Sequence, residues 1–220
     1  ETGSYFTPPD LIEQLLDRCW QPLLCPSRLH PLRVGDLACG VGHFLLAAGR
    51  RLVTAGLPRA SLETQLIGVD ISPLAATLCG MALALESGLD PDLRPESIYQ
   101  ADSLLTELPH AAPLDAVIGN PPWVSLTGRQ RAACPPADRR RLIARYPAIA
   151  RWPALHSAML LRATELVRPG GRIGLVLPRQ MADLEVYSEV RRQVSARAAL
   201  AGPVLDVGES AFPGVTPPVG

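Results

Sequence analysis

The chain has 220 residues, 47% of them apolar and 19% charged, which suits one large domain or two small ones with a core that needs neither disulfide nor metal. It is too apolar for a disordered tail, and its longest apolar run, Leu74 to Leu85, falls well short of the roughly 20 residues of a bilayer span. Leaving histidine aside, 21 basic residues balance 21 acidic ones and every basic one is arginine, so a P-loop lysine, a kinase lysine and a Schiff-base lysine are all excluded.

In chain order, Gly3 to Pro9 is turn-like, and Asp10 to Trp20 places Leu11, Leu15 and Leu16 on one helical face, which predicts a helix after an ordered arm. Leu32 to Leu37 reads as a strand running into Asp36-Leu37-Ala38-Cys39-Gly40-Val41-Gly42, with a helix from His43 to Ala55. The alternation repeats: a strand at Gln65 to Val69 ending in Asp70, a helix from Pro73 to Ser87, and a strand at Ser97 to Gln100 followed by Ala101-Asp102-Ser103. The next strand, Leu114 to Ile118, leads straight into Gly119-Asn120-Pro121-Pro122-Trp123. Beyond an arginine-rich stretch come a helix at His156 to Val167, a Pro169-Gly170-Gly171 turn, a strand at Arg172 to Leu177, a helix at Leu184 to Ala198 and a strand at Pro203 to Val207. Strands alternating with helices specify an α/β fold with a doubly wound, mostly parallel sheet. Its ligands belong beyond the carboxyl ends of the strands.

The stretch from Val124 to Leu155 holds Arg129, Arg131, Arg139, Arg140, Arg141, Arg145 and Arg151 against the single acid Asp138, a net charge of +6. Such a run is either a nucleic-acid contact or a solvated loop or helix. Five cysteines without a C-x-x-C pair indicate neither a disulfide framework nor a zinc ribbon. Cys39 and His43, four apart, lack the second ligand pair that a metal site needs, so no metal is expected.

Polar groups stand at four strand ends. A glycine turn after a first strand lets backbone approach a ligand closely, but Leu45 occupies the third glycine of the dinucleotide fingerprint, which counts against a dinucleotide. Asp36, ahead of the glycines, suits a cationic amino group; Asp70 is placed for two ribose hydroxyls and Asp102 for an adenine amine. Together they describe a nucleoside carrying an amino acid, S-adenosylmethionine. Asn120 is the only asparagine in the chain. The prolines after it remove N–H donors, so the Asn120 side-chain oxygen and the Pro121 carbonyl can both accept from one NH2 group. Two acceptors draw a conjugated amine toward sp3 and free its lone pair, while Trp123 is positioned to stack on the ring.

On these motifs, with Gly3-Ser4-Tyr5-Phe6-Thr7-Pro8-Pro9 at the start and Pro169-Gly170-Gly171-Arg172 with Val176-Leu177-Pro178 later, the chain resembles the S-adenosylmethionine-dependent DNA adenine-N6 methyltransferases of restriction-modification systems. The motif order looks like their gamma arrangement, and the resemblance spans almost the whole chain. It implies a Rossmann-like class I methyltransferase with a cofactor arm and helix over 1–30 and a catalytic domain over 31–220. It further implies that Thr7, Pro8, Asp36, Ala38 and Gly40 hold the methionine end of the cofactor, that Asp70 and Ile71 hold the ribose and flank the adenine, and that Asp102 binds the adenine amine. Ser103, which the resemblance also places among the cofactor-binding residues, stands where the family often has an aromatic.

Asn120, Pro121, Pro122 and Trp123 would hold the target, an adenine flipped out of double-stranded DNA. Arg129, Arg131, Arg139, Arg140 and Arg141 would contact phosphates. A target-recognition domain or subunit outside this chain is expected, as is a bacterial cytoplasmic location on the nucleoid, with no membrane partner. The same tetrapeptide also serves a glutamine amide of a protein or an RNA base, and a silent scaffold of this fold is a further alternative.

Overall fold

The computed structural model describes residues 6–20, 32–92, 95–108, 113–127 and 134–208. The chain begins with α1 (Pro9–Trp20), β1 (Val34–Asp36), α2 (His43–Thr54), α3 (Leu62–Gln65) and β2 (Leu66–Asp70). It continues through α4 (Pro73–Ser87), β3 (Ile98–Gln100), β4 (Leu114–Gly119), α5 (Pro136–Arg145), α6 (Leu155–Leu166) and β5 (Val167–Leu175) to α7 (Gln180–Asp183) and α8 (Ser188–Ser195). The strands form one sheet in the order β3-β2-β1-β4-β5, and every pairing is parallel. The expected doubly wound α/β fold is present, parallel throughout the described residues.

Strand addition runs outward from β1 through β2 to β3, then reverses with β4 and β5. With crossover handedness constant, that reversal moves the connecting helix to the other face of the sheet. Leu16 of α1, Leu45 of α2 and Leu83 of α4 accordingly share one core with Val34, Leu66 and Ile118. Leu166 of α6 packs on the opposite face with Ile67, Val69 and Val117. A third cluster, built by Leu142, Tyr146, Leu161, Tyr187 and Val190, joins α5, α6 and α8. Each such fully buried aliphatic side chain contributes about 1.5–3 kcal/mol. No helix among the described residues is long and apolar enough to cross a membrane.

Local chemistry sets most element ends. The carbonyl of Pro8 accepts from Leu11 and Ile12 and opens α1, and Ser72 Oγ accepts from the Ala75 N–H with Pro73 in the first turn of α4. The expected Pro169-Gly170-Gly171 turn is absorbed into β5 as a bulge, because Ala116 of β4 pairs with Arg172 while Leu114 pairs with Val167. The helix expected over Leu184 to Ala198 is interrupted: Leu184 is extended (φ −70, ψ 139), Glu185–Tyr187 is a 3-10 turn, and only Ser188–Ser195 is α-helical. The strand expected at Pro203 to Val207 does not form; Val204 and Leu205 are exposed and Pro203 has no N–H to enter a ladder.

Candidate active site

The switch point between β1 and β4 gathers the polar strand ends along the carboxyl edge of the sheet. In spatial order they are Asp102 after β3, Asp70 on β2, Asp36 on β1 and Asn120 after β4. In sheets of this kind a crevice is expected where strand order reverses, because the two connecting loops diverge to opposite faces.

Asp36 is only 2% exposed, and its Oδ1 accepts from the Ala38 N–H at 3.1 Å. Gly119 sits at φ +146 directly against this carboxyl, with no room for a side chain: a Cβ would stand 2.5 Å from Asp36 Oδ1. Asp36, Ala38, Gly119 and Pro121 also line a cavity of about 10 Å³, room for no more than one water. Burial pushes the Asp36 carboxyl up to about 7; the Ala38 N–H partly offsets this and the negative Asp70 adds to it. Expected to face a cationic group, Asp36 is buried beneath the strand ends.

The glycine turn, closed by the Gly42 N–H on the Cys39 carbonyl at 2.8 Å, is tied to β2 by Asp70. Asp70 Oδ2 accepts from Gly40 and Oδ1 from Ser72, both at 2.8 Å. Each oxygen keeps a second lone pair for a hydroxyl donor. Beyond its chain neighbours, no atom of the described residues stands within 4 Å of where a Gly40 Cβ would project, and Ile71 is 71% exposed. Open space, a carboxylate and a bare apolar side chain are a fit for a ribose with an attached ring. Asp102 Oδ1 caps the next turn, accepting from Leu104 at 2.9 Å and Leu105 at 3.3 Å. Ser103 is buried.

Asn120 Nδ2 donates to Thr7 Oγ1 at 3.1 Å, while Asn120 Oδ1 is buried and accepts from no donor among the described residues. An orphaned buried carbonyl costs about 1–3 kcal/mol, so this one is an acceptor awaiting a donor. The Pro122 carbonyl is used by the Val124 N–H at 2.9 Å, whereas that of Pro121 takes no donor among the described residues. Half-buried Trp123 is tethered through Nε1 to the Val176 carbonyl at 3.3 Å.

Of the basic stretch, Arg129 and Arg131 lie outside the described residues. The remainder is less positive than the local count suggests, since acids elsewhere in the chain reach back to it. Arg145 pairs with Glu107 and Glu165 and Arg151 with Glu185, while Arg141 pairs with Asp138 inside the stretch itself. Arg139 and Arg140 on α5 make no ion pair among the described residues.

Sequence reasoning missed Arg162, 4% exposed on α6. Its guanidinium donates to the carbonyls of Ser103 (3.2 Å) and Thr106 (3.3 Å) and to Glu165 (3.0 Å). Tyr146 Oη donates to the Leu104 carbonyl at 3.1 Å, so two side chains hold the loop that carries Asp102. An arginine among Ala158, Met159, Leu161 and Leu166, on the apolar side of a helix, was the available signal.

A second buried titratable group, His156, meets Tyr187 Oη through Nε2 at 3.3 Å, and burial lowers its pKa to about 4. The two groups pull stability in opposite directions. Asp36, ordinarily near 3.8, keeps its proton in the folded state, so its contribution is intact below about 4 and is lost as pH rises through about 7. His156, ordinarily near 6.5, stays neutral when folded, so its contribution is intact above about 6.5 and is lost as pH falls toward about 4. Each slope approaches about 1.4 kcal/mol per pH unit, and the two cancel over most of that window. In Asp36→Asn the histidine slope is left alone, and thermal melts from about pH 4.5 to 7 should rise with pH more steeply than those of the unmodified chain. Parallel profiles would contradict this assignment.

Comparison with known proteins bears on the family and the fold. The family described as N-6 DNA Methylase matches residues 1–205. A tRNA1(Val) (adenine(37)-N6)-methyltransferase of Porphyromonas gingivalis is 29% identical over 173 residues, covering 78% of this chain and 60% of that protein. The type II methyltransferase M.XamI of Xanthomonas campestris pv. amaranthicola is 29% identical over 122 residues, covering 56% of this chain and 20% of its own length. This chain therefore spans only part of the relatives it matches. The type I restriction-modification methyltransferase subunit of Streptococcus thermophilus superposes with a TM-score of 0.62 at 15% identity, over 88% of this chain and 40% of that one. With the whole order of strand ends inside the matched region, the chain belongs to the N-6 DNA Methylase family.

Proposed function

We propose that this chain is the catalytic unit of an S-adenosylmethionine-dependent methyltransferase that methylates the N6 amine of an adenine flipped out of duplex DNA. The observation that carries the reading is the buried Asn120 Oδ1 next to the Pro121 carbonyl, neither taking a donor among the described residues, in a chain of the N-6 DNA Methylase family.

When bound, S-adenosylmethionine supplies a methyl group on a sulfonium. Gly40, Asp70, Ile71 and Asp102 are the residues to hold it, by backbone approach, hydroxyl acceptance and apolar contact. Asn120 Oδ1 and the Pro121 carbonyl each accept one N–H of the target amine, localising its lone pair and stabilising the positive charge that develops on nitrogen. Trp123, pinned by Val176, offers a fixed face to the extruded ring. Arg139 and Arg140 contact phosphates. Such an activity belongs in the cytoplasm on the nucleoid, with sequence choice supplied by a recognition domain or subunit beyond residues 1–220.

The test is incubation with tritiated cofactor and either duplex DNA, tRNA or a release factor, followed by nucleoside analysis. Label in DNA as N6-methyladenine is the expected result. The similarity to a tRNA adenine-N6 enzyme over 78% of this chain makes tRNA the strongest rival, and label there alone would overturn the DNA assignment. Label confined to protein would overturn both.

A further inference from the structure

We infer that Thr7 is a positioning residue for the Asn120 amide, setting which of its two ends faces the target. This rests on the proposed role of Asn120 as the acceptor of a target amine.

Terminal amide torsions are broad and nearly two-fold, so a side chain of this kind presents oxygen or nitrogen with little intrinsic preference. For an NH2 target the difference decides the chemistry, because a flipped amide would point its own N–H donors at the donors of the substrate. A threonine hydroxyl can accept from the amide nitrogen or donate to its oxygen, and in this structure it accepts. Thr7 Oγ1 lies 3.1 Å from Asn120 Nδ2 and takes one of the amide's donors. With the nitrogen parked there, Oδ1 is left buried and without a partner.

Thr7 is itself held on both sides and only 5% exposed. On one side, the Phe6 ring stands edge-on to His43 at the start of α2, with centroids 5.0 Å apart and planes at 88°. On the other, the Pro8 carbonyl opens α1, whose Leu15 packs on Gly174 of β5. The arm is thus a clasp from the glycine turn to the residue after β4, with its hydroxyl as the contact point. Residues 113 positions apart in the chain meet here, which the linear motifs do not show.

Because Asn120 is the only asparagine in the sequence, selective labelling with side-chain 15N-asparagine gives one NH2 pair in the proton–nitrogen spectrum and reads this bond without any catalysis. In the unmodified chain one of the two protons should be shifted downfield and protected from exchange. Thr7→Val, nearly isosteric but without the hydroxyl, should lose both properties, and Thr7→Ser should keep them. In methyl transfer, Thr7→Val should lower kcat on the order of 10- to 100-fold, with cofactor affinity within about threefold, and Thr7→Ser should recover most of the rate. An unchanged NH2 pair in Thr7→Val would overturn the inference, and so would a loss of cofactor affinity as large as the loss of rate, which would make Thr7 a cofactor ligand. Should the unmodified chain methylate no substrate, the functional reading fails while the spectrum still decides the Thr7–Asn120 contact.

Discussion

Asn120→Ala should abolish methyl transfer, with a loss of at least about 10²- to 10³-fold in single-turnover rate, while cofactor affinity stays within about tenfold, or roughly 1.4 kcal/mol. The separation follows from position. Asn120 follows β4 and its side chain bonds to Thr7 alone among the described residues, whereas the turn at Gly40 is organised from β2 by Asp70. Removing the amide deletes one of two acceptors for the target and leaves the β1–β2 side of the crevice untouched. Folding should also suffer little, because the truncation removes an unsatisfied buried oxygen along with one hydrogen bond. Asp70→Ala is the converse: it frees the Gly40 and Ser72 N–H groups and should weaken the cofactor first. Isothermal titration with a cofactor analogue alongside rapid-quench methylation measures both quantities. A cofactor affinity lost in step with the rate would move Asn120 into the cofactor pocket.

The second large effect concerns stability. Gly119→Ala places a Cβ 2.5 Å from Asp36 Oδ1 and 2.9 Å from its Cγ, at a φ of +146 that side chains rarely adopt. Neither element can yield cheaply: β4 is paired on both sides, and the Asp36 carboxyl is bonded to Ala38 in a space with almost no free volume. The expected cost is about 2–4 kcal/mol, on the order of 10 °C in melting temperature for a chain of this size. Gly56 is the internal control, since its φ is +102 and nothing lies within 4 Å of its Cβ position. Gly56→Ala should therefore show only the backbone strain of about 1–2 kcal/mol. The difference between the two melts reports the carboxyl contact together with the unequal backbone strain at φ +146 and +102, and equal melts would show that Asp36 does not press on Gly119.

Much of this site was legible because its residues sit where chain direction alone places them. An acid, a glycine turn and an Asn-Pro-Pro-Trp run each directly follow a β-type segment, and parallel crossover topology brings such segment ends to one edge of the sheet. The α4 boundaries were equally open to reading, since Ser72, Pro73 and the apolar run to Ser87 combine a cap, a fixed φ and a buried face. The interrupted helix near Leu184 and the missing strand near Val204 were not. Local pattern favours a regular element in both places, but a helix also needs a continuous face to bury and a strand needs a neighbour.

The sequence by itself determined the alternation of elements, the edge of the sheet that carries the polar strand ends, and the residue types available there, because periodicity and turn chemistry are local properties. Only the tertiary structure decided what each residue does with its neighbours. It buried Asp36 under Gly119, spent Arg145 and Arg151 on distant acids, hung the Asp102 loop on Arg162, and set Thr7 against Asn120. Those contacts join positions that lie tens of residues apart in the chain. Their partners are selected by packing and desolvation, which no local window of sequence contains.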